Sequence, residues 1–420
     1  MTIDFFIPNT DNIQNIHINI TLEDPSLKAP VTFTYNTFIK ILPEEWDFEK
    51  QRPKNIYLKK NKKINSLLDE FRIRISQYIR DKKEKKKPVS QRSIGMEINK
   101  IRTEEQALYP ELSLLHCIQM YIESKKEFIS KSTRKRYHVF SQLIHRYEGA
   151  RMERLYVNTL ESSFINNFIS FGKQELYSEN TIYRTIHFVR TILNFAERKG
   201  LKTTVREWQI RRERQRRVLV TLSEEEILSI KNIQLPPELM PAKDWLIISC
   251  YTGQRISDFM DYTKEMIVNM DGISCIAFTQ KKTKKNILLP LHPAVIDVLK
   301  RNGNNFPPKI SKNLYNRHIK EIAMIAGITQ PVKTRKREGH RVHSTTVEKW
   351  EAITSHIGRR SFATIFYGKI PTPLLMEATG HSTEQMFLNY INPVDKNRIS
   401  SLNHYFNKIH NSHGKQPALS

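Results

Sequence analysis

The chain combines 420 residues with a formal charge of +25, a length that predicts two or three domains and a surplus that points to a polyanionic partner, nucleic acid first. Three widely spaced cysteines, Cys117, Cys250 and Cys275, exclude a disulfide framework or a CxxC metal site and fit core thiols in a reducing compartment. No segment reaches the ~18 apolar residues that span a membrane, and "MTIDFFIPNTDNI" is no secretion signal, so the chain is expected in the cytoplasm.

In chain order, "NIHINITLE" and "VTFTYNTFIKI" alternate as β-strands do, and "KINSLLDEFRIRISQYI" places Ile64, Leu67, Leu68, Phe71 and Ile75 on one helical face. Residues 1–80 therefore read as a small sheet-plus-helix module. The next stretch, "RDKKEKKKPVSQRS", is nearly devoid of apolar residues and reads as the start of a basic linker over 81–110. It serves either as a solvated tether or as a phosphate contact.

From 111 to 203 the helical period dominates. Tyr137, Phe140, Ile144 and Tyr147 form one stripe, and Ile182, Ile186, Val189 and Leu193 another, with Gly200 as a C-cap. The other faces of this small bundle carry Arg134, Lys135, Arg136, Arg184 and Arg190, a pattern suited to lying along phosphates. A second basic tract, "REWQIRRERQRRVLV", contains Arg211 and Arg212 and marks an interdomain linker over 204–220. Ser223 and Glu226 then form a capping box that opens the last domain, 221–412, ahead of a tail at 413–420.

Four separated pieces of that domain hold reactive groups: "TGQRISDF" with Arg255 and Asp258, "TQKKTKKNILLPL" with Lys282, "TSHIGRRSFAT" with His356 and Arg359, and "TGHSTEQMFLNY" with His381 and Tyr390. On a helix His356 and Arg359 stand at i and i+3 and share a face. Each piece alone is weak. In this order and spacing they resemble the catalytic set of the tyrosine recombinases, the phage integrase family: Arg, Lys, HxxR, His or Trp, and Tyr.

The resemblance covers the last ~200 residues closely. It implies a multidomain, mainly α protein with small β-sheets: an N-terminal α+β arm-binding module, a helical core-binding (SAM-like) bundle and a mixed α/β catalytic domain. Carried over residue by residue, it makes Arg255 and Arg359 a phosphate clamp, His356 and His381 its hydrogen-bonding partners, Tyr390 the nucleophile and Asp258 a supporting carboxylate. Lys282 falls at the family's hairpin lysine, counted back from Pro290 and Leu291, with Lys281, Lys284 and Lys285 as close competitors. The long polar stretch "QPVKTRKREGHRVHSTTVEKWEAI" departs from the family and reads as a second hairpin or as a solvated loop.

The residue types also suit the chemistry directly. Attack on a phosphodiester builds charge on the nonbridging oxygens, which two guanidiniums can hold bidentately. A lysine can donate a proton to the departing oxygen. A phenol with an ordinary pKa near ~10 needs a cationic surround or a base, and His356 is the first candidate. The chain has neither a clustered carboxylate set for Mg²⁺ nor a GxxxxGK[ST] loop, so cleavage is expected to need no cofactor, metal or nucleotide.

The function expected is therefore site-specific recombination of double-stranded DNA at core and arm sites, for integration and excision of a mobile element, in a bacterial, nucleoid-associated setting. The partners implied are three further copies in a tetramer on DNA and accessory DNA-bending or excision factors. A stripe of Ile399, Leu402, Phe406 and Ile409 after Tyr390 suits a neighbouring subunit or the chain's own domain. The rivals are a type IB topoisomerase, a non-catalytic DNA-binding protein, and a housekeeping resolver of dimers.

Overall fold

The computed structural model describes residues 1–8, 12–22, 30–55, 58–104, 109–212, 219–338 and 341–391. The chain divides into two compact units, Met1–Glu213 with Arg337–His343, and Arg214–Lys336 with Ser344–Ser420. The stripe at Ile399, Leu402, Phe406 and Ile409 lies outside the described residues.

The first unit opens with an antiparallel sheet of β1 (Thr2–Phe6), β2 (Gln14–Leu22) and β3 (Val31–Ile41), in that order. Ile18 stands opposite Phe5 on one side and Tyr35 on the other. Ile16, Ile18 and Ile20 are fully buried on one face, as period-2 alternation requires. No strand is expected from the sequence at β1, where Phe5 and Phe6 interrupt the alternation. Two short strands, β4 (Trp46–Asp47) and β5 (Arg52–Pro53), pair next. Helix α1 (Lys59–Glu84) packs on the sheet, with Ile64, Leu68, Phe71 and Ile75 buried in a shared core.

The stretch expected as a linker over 81–110 differs. It holds the end of α1 and all of α2 (Gln91–Thr103), capped by Ser90, whose hydroxyl accepts from the Ser93 N–H. Ile94, Ile98 and Ile101, spaced four and three apart, bury themselves in the same core as the sheet. The run of lysines occupies the last turn of α1, at Lys82 and Lys83, and the junction between the two helices.

Four helices follow: α3 (Leu114–Ser124), α4 (Lys131–Arg151), α5 (Ser163–Gln174) and α6 (Glu179–Arg198). Ser113, Ser130 and Ser178 each accept a backbone N–H at a helix start. The core is aromatic, with Tyr147 against Phe164, Phe168 and Phe171 at 5.2–5.6 Å. Trp208 stacks on Phe164 at 5.5 Å, and Val205 is also buried. The first residues of the tract expected as a linker over 204–220 thus close the helical core.

Within this unit α1 has a second buried face, turned to α4. Arg154 is 6% exposed and donates to Glu148 at 2.9 Å and to Glu70 at 2.8 Å. His145 meets the other Glu70 oxygen at 2.9 Å. Asp69 receives Arg52 at 3.1 Å and Arg146 at 3.2 Å, and Arg146 also reaches Glu175 at 2.8 Å. The helices approach so closely that a Cβ on Gly149 would lie 2.5 Å from the Asp69 carboxylate. Burial alone would raise the pKa of Glu70, but His145 and Arg154 hold it below the ordinary value.

In the second unit the capping box at Ser223 and Glu226 starts α7 (Glu224–Asn232). Helix α8 (Met240–Thr252) is buried on every side, including Trp245, Leu246, Ile247 and Ile248. Around it stand α9 (Ile256–Phe259), an antiparallel sheet of β6 (Ile267–Met270), β7 (Ile273–Thr279) and β8 (Asn286–Pro290), α10 (Pro293–Arg301) and α11 (Lys312–Ile325). The polar stretch beyond α11 forms paired strands β9 (Pro331–Glu338) and β10 (Arg341–Glu348), one of the two readings the sequence left open. The unit continues with α12 (Lys349–Ala352), α13 (Ile357–Phe366), α14 (Thr372–Thr379) and α15 (Glu384–Leu388). Among the described residues no helix is long and apolar enough to cross a membrane.

Candidate active site

Arg359 is drawn into the interior because α13 packs directly on α8. Its side chain is wholly buried. The guanidinium donates to the Gly253 carbonyl at 2.9 Å, to the Thr379 carbonyl at 2.8 Å and to His381 Nε2 at 2.9 Å. Among the described residues it has no ion pair. Burial and the neighbouring charge of Arg255 lower its pKa to about 10.

His381 follows Gly380, which ends α14 in the left-handed region at φ +69°. A guanidinium can only donate, so Nε2 accepts and the imidazole proton sits on Nδ1, 2.7 Å from Thr379 Oγ1. That hydroxyl in turn donates to the Leu375 carbonyl at 2.6 Å. Burial, then Arg359, Arg255 and Lys285, push the His381 pKa down to about 3. The ring is neutral at pH 7.

Tyr390 stands just beyond α15, its N–H bonded to the Phe387 carbonyl at 2.8 Å. Its ring lies 5.2 Å from the Arg359 guanidinium and 5.0 Å from the His381 ring. A phenol here lies against a cation that forms no ion pair among the described residues. His356 immediately precedes α13. The residue is exposed, yet partial burial, then Arg360, Lys312, Arg359 and Arg255, hold its pKa below the ordinary value.

Arg255 sits half-exposed at the start of α9, donating to Gln280 Oε1 at 3.2 Å. Asp258, one turn on, is 4% exposed and accepts the Lys281 N–H at 3.0 Å. The Asp258 carboxylate therefore holds the backbone of the lysine turn between β7 and β8. In that turn Lys281 pairs with Asp261, and Lys285 Nζ reaches the His381 carbonyl at 3.5 Å. Lys282 is exposed and makes no ion pair among the described residues.

Gln254, Gln280 and Thr379 were not singled out by the sequence, yet they connect the site. Gln280 Nε2 donates to Gln254 Oε1 at 2.9 Å and to the Thr379 carbonyl at 3.1 Å. Gln254 Nε2 donates to the Ala378 carbonyl at 2.6 Å. The only hint in the sequence was a polar residue between Gly253 and Arg255; Gln280 had none.

In the first unit Arg134, Lys135 and Arg136 are exposed at the start of α4, and Arg184 and Arg190 are exposed along α6. Tyr137 stacks on Phe188 at 4.6 Å, setting these basic helices side by side. Arg211 and Arg212 are exposed. Arg212 lies over the Tyr183 ring at 5.3 Å and reaches Asn180 at 3.5 Å, which joins the tract to the basic face of α6.

Comparison with known proteins extends this geometry. Residues 220–397 match the model of the phage integrase family, residues 113–208 that of the phage integrase SAM-like domain, and residues 14–95 that of the arm DNA-binding domain. No curated protein matches. The Tn1549 transposon integrase in complex with a circular intermediate DNA is 14% identical, covering 71% of this chain and 100% of its own, with a TM-score of 0.53. The XerH site-specific recombinase bound to palindromic difH substrate, a post-cleavage complex, is 14% identical, covering 81% and 97%, with a TM-score of 0.50. At these identities the likeness is one of fold.

Proposed function

The chain belongs to the phage integrase family of tyrosine recombinases, enzymes that break and rejoin DNA at specific sites, and from that premise we propose that Tyr390 is its nucleophile. The Tyr390 oxygen attacks the scissile phosphorus and passes its proton to His356, which is deprotonated at neutral pH. Arg255 and Arg359 hold the nonbridging oxygens as charge builds on them. The bond to the 5′ oxygen breaks, Lys282 protonates that oxygen, and a 3′-phosphotyrosine remains. The 5′ hydroxyl of another strand then reverses the step. A phosphate placed against His381 opposes the burial and cationic neighbours that lower its pKa, so that Nε2 can take up a proton and donate.

The observation that carries this reading is the Tyr390 ring set against the Arg359 guanidinium at 5.2 Å and the His381 ring at 5.0 Å. The wider reading is integration and excision of a mobile element by four copies on duplex DNA in the bacterial cytoplasm. The first unit supplies arm and core contacts, including Arg134, Lys135, Arg136, Arg184, Arg190, Arg211 and Arg212, and accessory bending or excision factors assist. A type IB topoisomerase would share the chemistry but act as a monomer. Exchange between two differently labelled duplexes separates the two.

The test begins with a duplex selected from a randomised pool by SDS-resistant capture on the wild-type protein. A nick beside its scissile phosphate lets the short 5′-hydroxyl strand diffuse away. Wild type is expected to become covalently joined to the 3′ end, and Tyr390→Phe to form no adduct while binding the duplex as tightly. An adduct on Tyr390→Phe would assign the nucleophile elsewhere.

A further inference from the structure

Gln280 is fully buried at the end of β7, where the lysine turn begins. Every hydrogen-bonding position of its amide is used. The oxygen accepts from Arg255 at 3.2 Å and from the Thr283 hydroxyl; the nitrogen donates to Gln254 Oε1 at 2.9 Å and the Thr379 carbonyl at 3.1 Å. Gly380 preserves this arrangement, because a Cβ there would stand 2.5 Å from the Gln280 oxygen. Gln254 extends the network to the carbonyls of Thr252 and Ala378. Four segments therefore meet on one amide: the loop carrying Arg255, the turn carrying Lys282, the end of α14, and through the Thr379 carbonyl the guanidinium of Arg359.

Arg255 is only half-buried and makes no ion pair among the described residues, so its reach toward the site is fixed by this contact rather than by a carboxylate. A carboxylate in the same place would hold the guanidinium more strongly but would compete with a phosphate for it. A neutral amide oxygen orients one amino group and leaves the cation's charge available. We propose that Gln280 is a positioning residue for Arg255, setting its guanidinium for the nonbridging phosphate oxygens and leaving general-acid chemistry unaffected. This rests on the assignment of Arg255 to the phosphate clamp.

The test uses the full chain and the captured duplex described above, nicked to trap the adduct, with three chemistries at the scissile position. They are the natural phosphodiester, a methylphosphonate, whose neutral nonbridging group needs less cationic help, and a 5′-bridging phosphorothiolate, whose thiolate leaves without a proton donor. Gln280→Met, unbranched and of similar length, is expected to slow single-turnover cleavage of the phosphodiester roughly 10- to 100-fold, with DNA affinity within about twofold of wild type. The defect should shrink below about threefold on the methylphosphonate and persist on the phosphorothiolate.

An equal defect on all three substrates, or one that disappears only with the sulfur leaving group, overturns the proposal. So does a Gln280→Met rate matching wild type. If that variant does not fold, Gln280→Asn takes its place with the same expectations, since it keeps an amide but is one methylene short of Arg255. Absence of an adduct with wild type itself would instead refute the recombinase site, so the two failures are distinguishable.

Discussion

Arg154 in the first unit and Arg359 in the second are both shut away from solvent, and they are satisfied in opposite ways. Arg154 lies between two carboxylates, Glu148 and Glu70, and its pKa is raised above the ordinary value despite burial. Arg359 is surrounded by two carbonyls and an imidazole nitrogen, and its pKa is lowered to about 10. A buried charge matched by opposite charge holds a structure together. One left unmatched costs desolvation free energy and is retained where an anion supplies the missing charge. The comparison separates a charge-matched arginine from an unmatched one without reference to any relative, and the proposed reading gives the unmatched one a phosphate.

The largest expected effect lies at Arg359. Arg359→Met should reduce adduct formation on the nicked duplex by roughly 1,000-fold or more. Its melting should change little, because relief of an unmatched buried charge offsets the hydrogen bonds lost to the carbonyls. Melting far below wild type, with the cleavage loss explained by unfolding, would erase the distinction.

Arg154→Met should do the reverse. It strands Glu70 and Glu148 without their cation, and the expected loss is roughly 3–5 kcal/mol of local stability. This is measurable in the full chain as faster amide exchange in α1 and α4, with single-turnover cleavage by the folded protein retained. Unchanged exchange protection would show that the carboxylates do not depend on the arginine.

The smallest effect is a pH dependence at His381. Its folded pKa is about 3, while an unfolded histidine titrates near ~6.5. Below that value the unfolded chain binds a proton that the folded site refuses. Stability contributed by the neutral ring is thus complete above pH ~6.5 and lost as pH falls toward 3, by roughly 1.4 kcal/mol per pH unit. Comparing His381→Gln with wild type in denaturant melts between pH 7 and pH 4.5 isolates this slope. Parallel slopes would mean that the ring is not held neutral.

The same contrast accounts for what could be read before folding. In the second unit the residues proposed as reactive carry distinctive side chains within short runs, each weak alone, so Arg255, His356, Arg359, His381 and Tyr390 were legible through the order and spacing of those runs together. Gln254 and Gln280 were not. A buried glutamine has no sequence signature, since its partners are carbonyls brought near by other segments. The resemblance placed Lys282 on a hairpin, but the attachment of Lys281 to Asp261 and of Lys285 to the His381 carbonyl depends on where that hairpin lies.

In the first unit periodicity revealed one face of α1, the apolar one. Its other face reads as polar and solvated: Asp69 and Glu70 look like surface charges until α4 brings His145, Arg146 and Arg154 against them. Likewise the lysine-rich composition of 82–87 concealed the i, i+4, i+7 spacing of Ile94, Ile98 and Ile101 that seats α2. The sequence by itself determined which residues are candidates for the chemistry and where local spacing sets an apolar stripe, because side-chain type and local spacing are encoded in consecutive residues. Only the tertiary structure decided which charges are buried and with what they are paired, because desolvation and Coulomb attraction depend on segments as distant as Glu70 and Arg154, or Gly253 and Arg359, that meet only once the chain is folded.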